Sequence, residues 1–227
     1  MTARPTLVAC SHGTDSPEGR VVIASLARRA AELCDVPLAE TYVDVQQPQI
    51  DEVVEGLVGP GVIVPLLLSP GFHTAVDIGR AARSRADVVA AGTLGPHPAL
   101  VDVLADRVTA LGAGPHDRVV LAAAGSSRPE SAARVREVRD QLAARLRAPV
   151  TTGFAYGASP LVGEAVAEAR LQGSRRVIVA SYVLAPGHFA NLIARAGADA
   201  VTDPVGTDAR VAQIVAERYR EGLEQLG

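Results

Sequence analysis

Landmarks in the first half of this chain recur in the second at a nearly constant distance. Gly13 returns as Gly125 and Pro48 as Pro160, each about 112 residues on, while Pro70-Gly71 returns as Pro186-Gly187 and Val101 as Val211. The offset drifts only between about 110 and 116, as loop insertions allow. A chain of 227 residues built this way is the duplicate of one folding unit, and each copy is long enough to bury a core of its own.

The unit itself is legible from periodicity. Apolar strand-like runs fall at Leu7 to Cys10, Tyr42 to Val45, Val62 to Leu68 and Val88 to Ala90, then again at Val119 to Ala123, Thr152 to Tyr156, Val177 to Val183 and Ala200 to Val201. Between them lie stretches of helical spacing, such as Val22, Leu26, Ala30, Leu33 and Val135, Val138, Leu142, Leu146. Alternating strand and helix units predict parallel sheets covered on both faces, so the fold class is α/β: two similar Rossmann- or flavodoxin-type lobes with a cleft between them. The Gly/Pro-rich stretch Leu111-Gly112-Ala113-Gly114-Pro115-His116-Asp117 is the expected seam, giving lobes 1–113 and 114–227.

Composition narrows the functions. A formal charge of -3 offers no overall attraction to nucleic acid or an anionic membrane, and no apolar run reaches the length of a bilayer span. Cys10 and Cys34 form no Cys-x-x-Cys pair and no secreted disulfide pattern, and Met1 to Thr6 leads into a strand with no signal-peptide core, so a reduced cytoplasmic setting is expected. All 22 basic residues are arginines, either a property of the coding genome or a supply of planar donors for a carboxylate-rich ligand.

Chemistry concentrates at the expected carboxyl edge of the first sheet, where open α/β sheets bind their ligands. His12 in Ser11-His12-Gly13-Thr14 and His73 in Ser69-Pro70-Gly71-Phe72-His73 each follow a strand-like run, and Asp44 lies near the end of the strand-like run between them. Two imidazoles and a carboxylate make an open site for divalent iron, cobalt or nickel, whereas a single histidine at a strand end fits a hydrogen-bonded structural role better than metal ligation. Asp77 is either a carboxylate that orients His73 or an acid favoured by a helix first turn. His97, between two prolines, is expected to start a helix, His116 to face solvent, and Cys10 to be buried and inert. Neither Ser11 nor Ser126 sits in a Gly-x-Ser-x-Gly elbow, and no Gly-x-Gly-x-x-Gly follows a strand, so a serine hydrolase and a dinucleotide-binding enzyme are both poorly supported.

The segments Ser11-His12-Gly13-Thr14, Tyr42-Val43-Asp44-Val45-Gln46-Gln47-Pro48, Pro65 to Ile78 and Leu94-Gly95-Pro96-His97-Pro98 together resemble the sirohydrochlorin chelatases of the class II chelatase family, in their long two-lobed form. The resemblance implies a lyase that inserts Fe2+, Co2+ or Ni2+ into sirohydrochlorin without a nucleotide, the metal being a substrate. Iron insertion to give siroheme leads; cobalt insertion toward cobalamin, and a non-catalytic carrier of tetrapyrrole or metal, are the alternatives. It implies His12 and His73 as catalytic and metal-binding residues, with Asp44 standing where relatives often carry Glu.

The second copy lacks these groups. Ala124 stands where His12 does, Tyr156 where Asp44 does, and in Pro186-Gly187-His188-Phe189 the histidine comes one residue early. One metal site is therefore expected, in the first lobe. His188 is expected either to touch substrate or to cap the next helix. A carboxylate-rich substrate calls for donors, with Arg128, Ser126 and Ser127 the leading candidates and Arg20, Arg80, Arg83 and Arg134 behind them. The protein is expected to act as a monomer.

Overall fold

The computed structural model describes residues 4–69 and 71–226, and of residues 72–75 the backbone alone. Each repeat forms one four-stranded, wholly parallel sheet. The first has the order β2-β1-β3-β4, from β1 (Thr6–Ser11), β2 (Leu38–Tyr42), β3 (Gly61–Pro65) and β4 (Val88–Ala90); the second has the order β6-β5-β7-β8, from β5 (Asp117–Ala123), β6 (Val150–Phe154), β7 (Arg176–Tyr182) and β8 (Ala200–Val201). Both orders place the first strand of the repeat at the centre, with the second and third on either side. Its carboxyl end is thus flanked by two other loops in each lobe.

Helices cover both faces of each sheet. Helix α1 (Pro17–Cys34) starts with Ser16, whose Oγ accepts the Gly19 N–H at 3.1 Å, and stops at Asp35 in the left-handed region. On one face of the first sheet, Val8, Cys10 and Ile63 pack against Ile50 and Val54 of α2 (Ile50–Gly56) and Ile78 and Ala81 of α3 (Phe72–Arg83). Arg85 closes the end of α2 by donating to Val54 O, Leu57 O and Gly59 O while pairing with Asp87. In the second lobe, Val120, Ala122, Val177 and Val179 pack against Val162, Ala165, Val166 and Ala169 of α6 (Val162–Leu171) and Ile193 of α7 (His188–Ala194). Each fully buried valine or isoleucine among them contributes roughly 1.5–3 kcal/mol.

The compact units do not coincide with the expected halves 1–113 and 114–227. One unit is Met1–Leu94 with Ala209–Gly227 and the other is Gly95–Asp208. The last helix of each repeat has been exchanged: α4 (Pro98–Ala110) packs with β7 and with α5 (Pro129–Leu146), while α8 (Ala209–Leu226) packs with α1, β3 and β4. The supposed seam lies inside the second unit and is fastened there, the Asp117 carboxylate accepting the Gly114 N–H and Arg176 donating to Leu111 O. Glycine and proline punctuation marked the end of a repeat, which here is not the end of a packed body.

The exchanged helices match residue for residue at an offset of about 111, one more than the Val101–Val211 pairing suggests. Buried Leu100, Val101, Val103, Leu104, Ala105 and Val108 then correspond to buried Val211, Ala212, Ile214, Val215, Ala216 and Tyr219. Arg107 corresponds to Arg218, and the two make equivalent bonds. Arg107 Nη1 donates to Pro204 O and Asp203 O, and Arg218 Nε donates to Thr93 O at 2.9 Å, so each arginine grips the segment just before a crossing of the chain. Gly222 lets α8 lie directly on β3, since a Cβ there would overlap Val62 Cγ1.

Several strands end earlier than expected: β3 at Pro65 and not at Leu68, β6 at Phe154 and not at Tyr156, and β2 at Tyr42 and not at Val45, so that β2, which begins at Leu38, shares only Tyr42 with the expected run. The apolar run continues into the following loop, so Asp44 belongs to a loop and not to a strand end.

Candidate metal and substrate site

The loops after β1 and β2 are stitched together by main-chain bonds. Val43 N–H donates to Ser11 O at 3.0 Å and Asp44 N–H donates to His12 O at 3.1 Å, which continues the ladder one step beyond the paired strands. Gly13 follows with φ +95°, and a Cβ there would overlap Asp44 O and lie 3.1 Å from Val45 Cβ. Only glycine fits that close approach. Val45 is itself left-handed at φ 60°, and the Asp44 Oδ1 accepts the Val45 N–H at 2.8 Å. Gln46 adds the final stitch, its Oε1 accepting the Thr14 N–H at 2.9 Å.

The outcome is that His12 and Asp44, both exposed, share one loop pair at the carboxyl edge of the first sheet. On the other side of β1, residues beyond β3 run to Gly71, which stands at the N-cap of α3. His73 is the second residue of that helix, so topology brings its segment to the same edge. Its side chain lies outside the described residues, as does Pro70, and among the described residues no group of three or more His, Cys, Asp or Glu is placed to hold a metal ion.

Neighbouring groups have definite roles. Asp77 pairs at 3.1 Å with Arg80, which also meets Asp51 at 2.6 Å, so Arg80 is occupied by two acids of its own lobe. Burial first, then the charge of Asp77, pushes the Cys10 thiol up to about 12, which makes it inert as expected from the sequence. Tyr42 is raised from its ordinary value by burial and by Glu40, while its bond to Gln46 opposes the shift. Ser11 Oγ is buried and has no hydrogen-bond partner among the described residues. Arg20 folds back to donate to Thr14 O at 2.9 Å and so braces the loop that carries His12.

The second lobe keeps the stitching and changes the side chains. Ala155 N–H donates to Ala123 O at 2.9 Å and Tyr156 N–H to Ala124 O at 3.0 Å, reproducing the two bonds that hold His12 and Asp44. Gly125 repeats φ +95°, and a Cβ there would overlap Tyr156 O. Ser126 Oγ accepts the Arg128 N–H at 3.2 Å, Ser127 is exposed, and Arg128 occupies the N-cap of α5 with its Nε 3.7 Å from Glu130. His188 is the first residue of α7, exposed, with its ring edge-on to Phe189 at 5.4 Å. Gly187 fills the N-cap, so His188 does not cap the helix. Arg134 is an exposed residue of α5, and Arg83 ends α3.

His97 does cap a helix: its Nδ1 accepts the Ala99 N–H at 3.1 Å at the start of α4. Sequence reasoning missed Gln46 altogether. Only its place beside Asp44 pointed to it, and a glutamine bonding across 32 residues leaves no local signal.

One loop architecture used twice, with the imidazole and carboxylate pair of His12 and Asp44 in the first copy only, defines a duplicated parallel α/β protein of the chelatase type. The chain belongs to the CbiX family, whose model matches residues 6–111 and again 118–222. In fold it is similar to SirB from Bacillus subtilis with Fe3+, at 20% identity and TM-score 0.80 over 96% of this chain and 95% of that one. It is equally similar to the sirohydrochlorin chelatase SirB from Bacillus subtilis subspecies spizizenii in complex with cobalt, at 19% identity and TM-score 0.80 over 98% and 96%. CbiX, the terminal enzyme for biosynthesis of siroheme in denitrifying bacteria, follows at 22% identity and TM-score 0.70 over 96% and 99%. No curated protein matches the chain in sequence. No described helix is long and apolar enough to cross a membrane.

Proposed function

We propose that the protein inserts a divalent metal ion into sirohydrochlorin, with Fe2+ as the metal and siroheme as the product. The observation that carries the reading is the stitched loop pair that holds His12 and Asp44 together at the edge reached by the His73 segment, in a chain of the CbiX family. The metal ion is substrate. His12 and His73 present it, Asp44 helps to hold it, and the imidazoles accept protons from the ring. Two pyrrole N–H bonds break as the four ring nitrogens bind the cation, so two protons leave for each metal inserted. Neutral imidazole is suited to both tasks near neutral pH. Arg128, Ser126, Ser127 and His188 supply donors for the carboxylates of the substrate. The reaction needs no nucleotide, because proximity and proton removal are what the uncatalysed insertion lacks.

Cobalt is the second reading, favoured by the cobalt complex of a similarly folded chelatase. Affinity order alone does not choose between the ions. The test is anaerobic sirohydrochlorin mixed with Fe2+, Co2+ or Ni2+, followed by absorbance with and without protein. Accelerated insertion that falls by about 100-fold or more in His12→Ala and in His73→Ala is expected. Binding of tetrapyrrole without acceleration would identify a carrier, and unchanged rates in both variants would remove the histidines from the chemistry.

A further inference from the structure

The loops after β1 and β2 run side by side in a fixed register, each bonded pair lying 32 residues apart. Two main-chain rungs, Ser11 with Val43 and His12 with Asp44, have counterparts in the second lobe at Ala123 with Ala155 and Ala124 with Tyr156. The first lobe then adds a third rung, made by a side chain: Gln46 Oε1 accepts the Thr14 N–H at 2.9 Å. At the matching place the second lobe has Ser126 and Ala158, and an alanine offers no side-chain acceptor. The extra rung belongs to the copy that carries His12 and Asp44.

A second difference falls beside it. Val45, between Asp44 and Gln46, is left-handed at φ 60°, where the second lobe has Gly157 at φ 68°. The Gln46 N–H donates back to Asp44 O at 2.6 Å, closing a tight turn over a β-branched residue. Such a conformation is costly for valine and persists only where its surroundings hold it. Gln46 supplies that hold. Besides clasping Thr14, its side chain bonds to the Tyr42 phenol, and its carbonyl oxygen accepts from Gln49 Nε2 at 3.0 Å. Thr14 is fixed in turn, its carbonyl oxygen accepting from Arg20 Nε at 2.9 Å and its Oγ accepting the Ser16 N–H at 3.1 Å. His12 and Asp44 each stand two residues before an end of this clasp.

We propose that Gln46 is a positioning residue of the metal site: by tying Thr14 to the strained turn at Val45, it sets the spacing of His12 and Asp44 and with it the affinity for a divalent ion. It acts through the two loops and not as a ligand. The proposal rests on the chelatase reading above for the identity of the ligands, and adds the residue that fixes their geometry. Supporting groups of this kind typically govern metal affinity over about 10–100-fold. The second lobe, with no ligand pair to hold, has a glycine at the turn and an alanine at the clasp.

The test is titration of the protein with Co2+ alone, read by calorimetry and by the visible absorption of the bound ion. Gln46→Met keeps nearly the native length without a strong acceptor, and should raise the Co2+ Kd by about 10-fold or more and shift the visible bands. Gln46→Glu retains an acceptor for the Thr14 N–H and should bind within about 3-fold of wild type or more tightly. Gln46→Asn draws the acceptor back by one methylene; it should also bind more weakly than wild type, and it carries the test if the methionine variant does not fold. His97→Ala removes a single hydrogen bond from α4, in the other unit, and should lower Tm without changing Co2+ affinity. Circular dichroism establishes that each variant is folded. Folded Gln46→Met and Gln46→Asn that lose Tm yet bind Co2+ as wild type overturn the proposal, reduce Gln46 to a structural role and leave the chelatase reading standing. Unchanged Co2+ affinity and insertion rate in His12→Ala overturn the ligand assignment on which both rest.

Discussion

Replacing Gly13 by alanine should damage both the fold and the metal site, and Gly125→Ala is the built-in control. Both glycines have φ +95°, and a Cβ at either would overlap the carbonyl oxygen of the facing loop, Asp44 O in one lobe and Tyr156 O in the other. A non-glycine residue held in such a region costs about 1–3 kcal/mol. The overlap adds to this because a backbone carbonyl cannot rotate away as the end of a side chain can. A loss of about 3 kcal/mol is expected for each substitution, which for a chain of this size lowers Tm by about 6–12 °C. The two should differ in function. Gly13→Ala forces apart the loops bearing His12 and Asp44, and disturbance of supporting structure typically weakens metal binding about 10–100-fold. Gly125→Ala moves no candidate ligand and should leave it unchanged. Calorimetric melting, with Co2+ titration below the transition, measures both effects. Equal loss of Co2+ affinity in the two variants, or Gly13→Ala melting within about 1 °C of wild type, would refute the argument that this glycine sets the distance between the ligands.

Gly222→Ala should destabilise although alanine gains up to about 1 kcal/mol in a helix interior, because the new methyl meets Val62 on β3; in a Val62→Ala background the same change should turn neutral or stabilising, and a higher Tm for the single variant would refute the close packing of α8. Cys10, with its thiol raised to about 12 by burial and Asp77, should resist iodoacetamide at pH 8 until the protein is unfolded, whereas labelling of Cys10 at the rate of a free thiol, seen by mass spectrometry, would contradict its placement. His97→Ala should cost about 1 kcal/mol by leaving the first turn of α4 uncapped, with His97→Asn restoring most of it; equal denaturant midpoints for wild type and alanine variant would show that the cap contributes nothing.

Residues with local consequences were legible in the sequence. Strand alternation, the duplicated glycines and the loops bearing His12 and Asp44 follow from patterns only a few residues long. The ends of β2 and β6 were not legible, since Val43, Val45 and Ala155 continue the apolar run while main-chain bonds and left-handed Val45 bend it into a loop. The helix exchange was hidden for a different reason. The apolar faces of α4 and α8 are nearly the same, so the sequence states that each must be covered without stating by which sheet. Gln46 was unreadable because its bond to Thr14 depends on a neighbour brought close by the tertiary fold, whereas His97 starts α4 as expected through a bond to Ala99 two residues on.

The exchange of α8 also orders events during synthesis. Residues 95–208 form one unit from a continuous stretch, and a ribosome working from the amino end can release it ready to fold. The other unit has its four strands early but waits for residues 209–226, whose apolar side covers the face of β3 at Val62. Until then the body carrying His12 and Asp44 is unfinished, so the older half of the nascent chain is the last to mature.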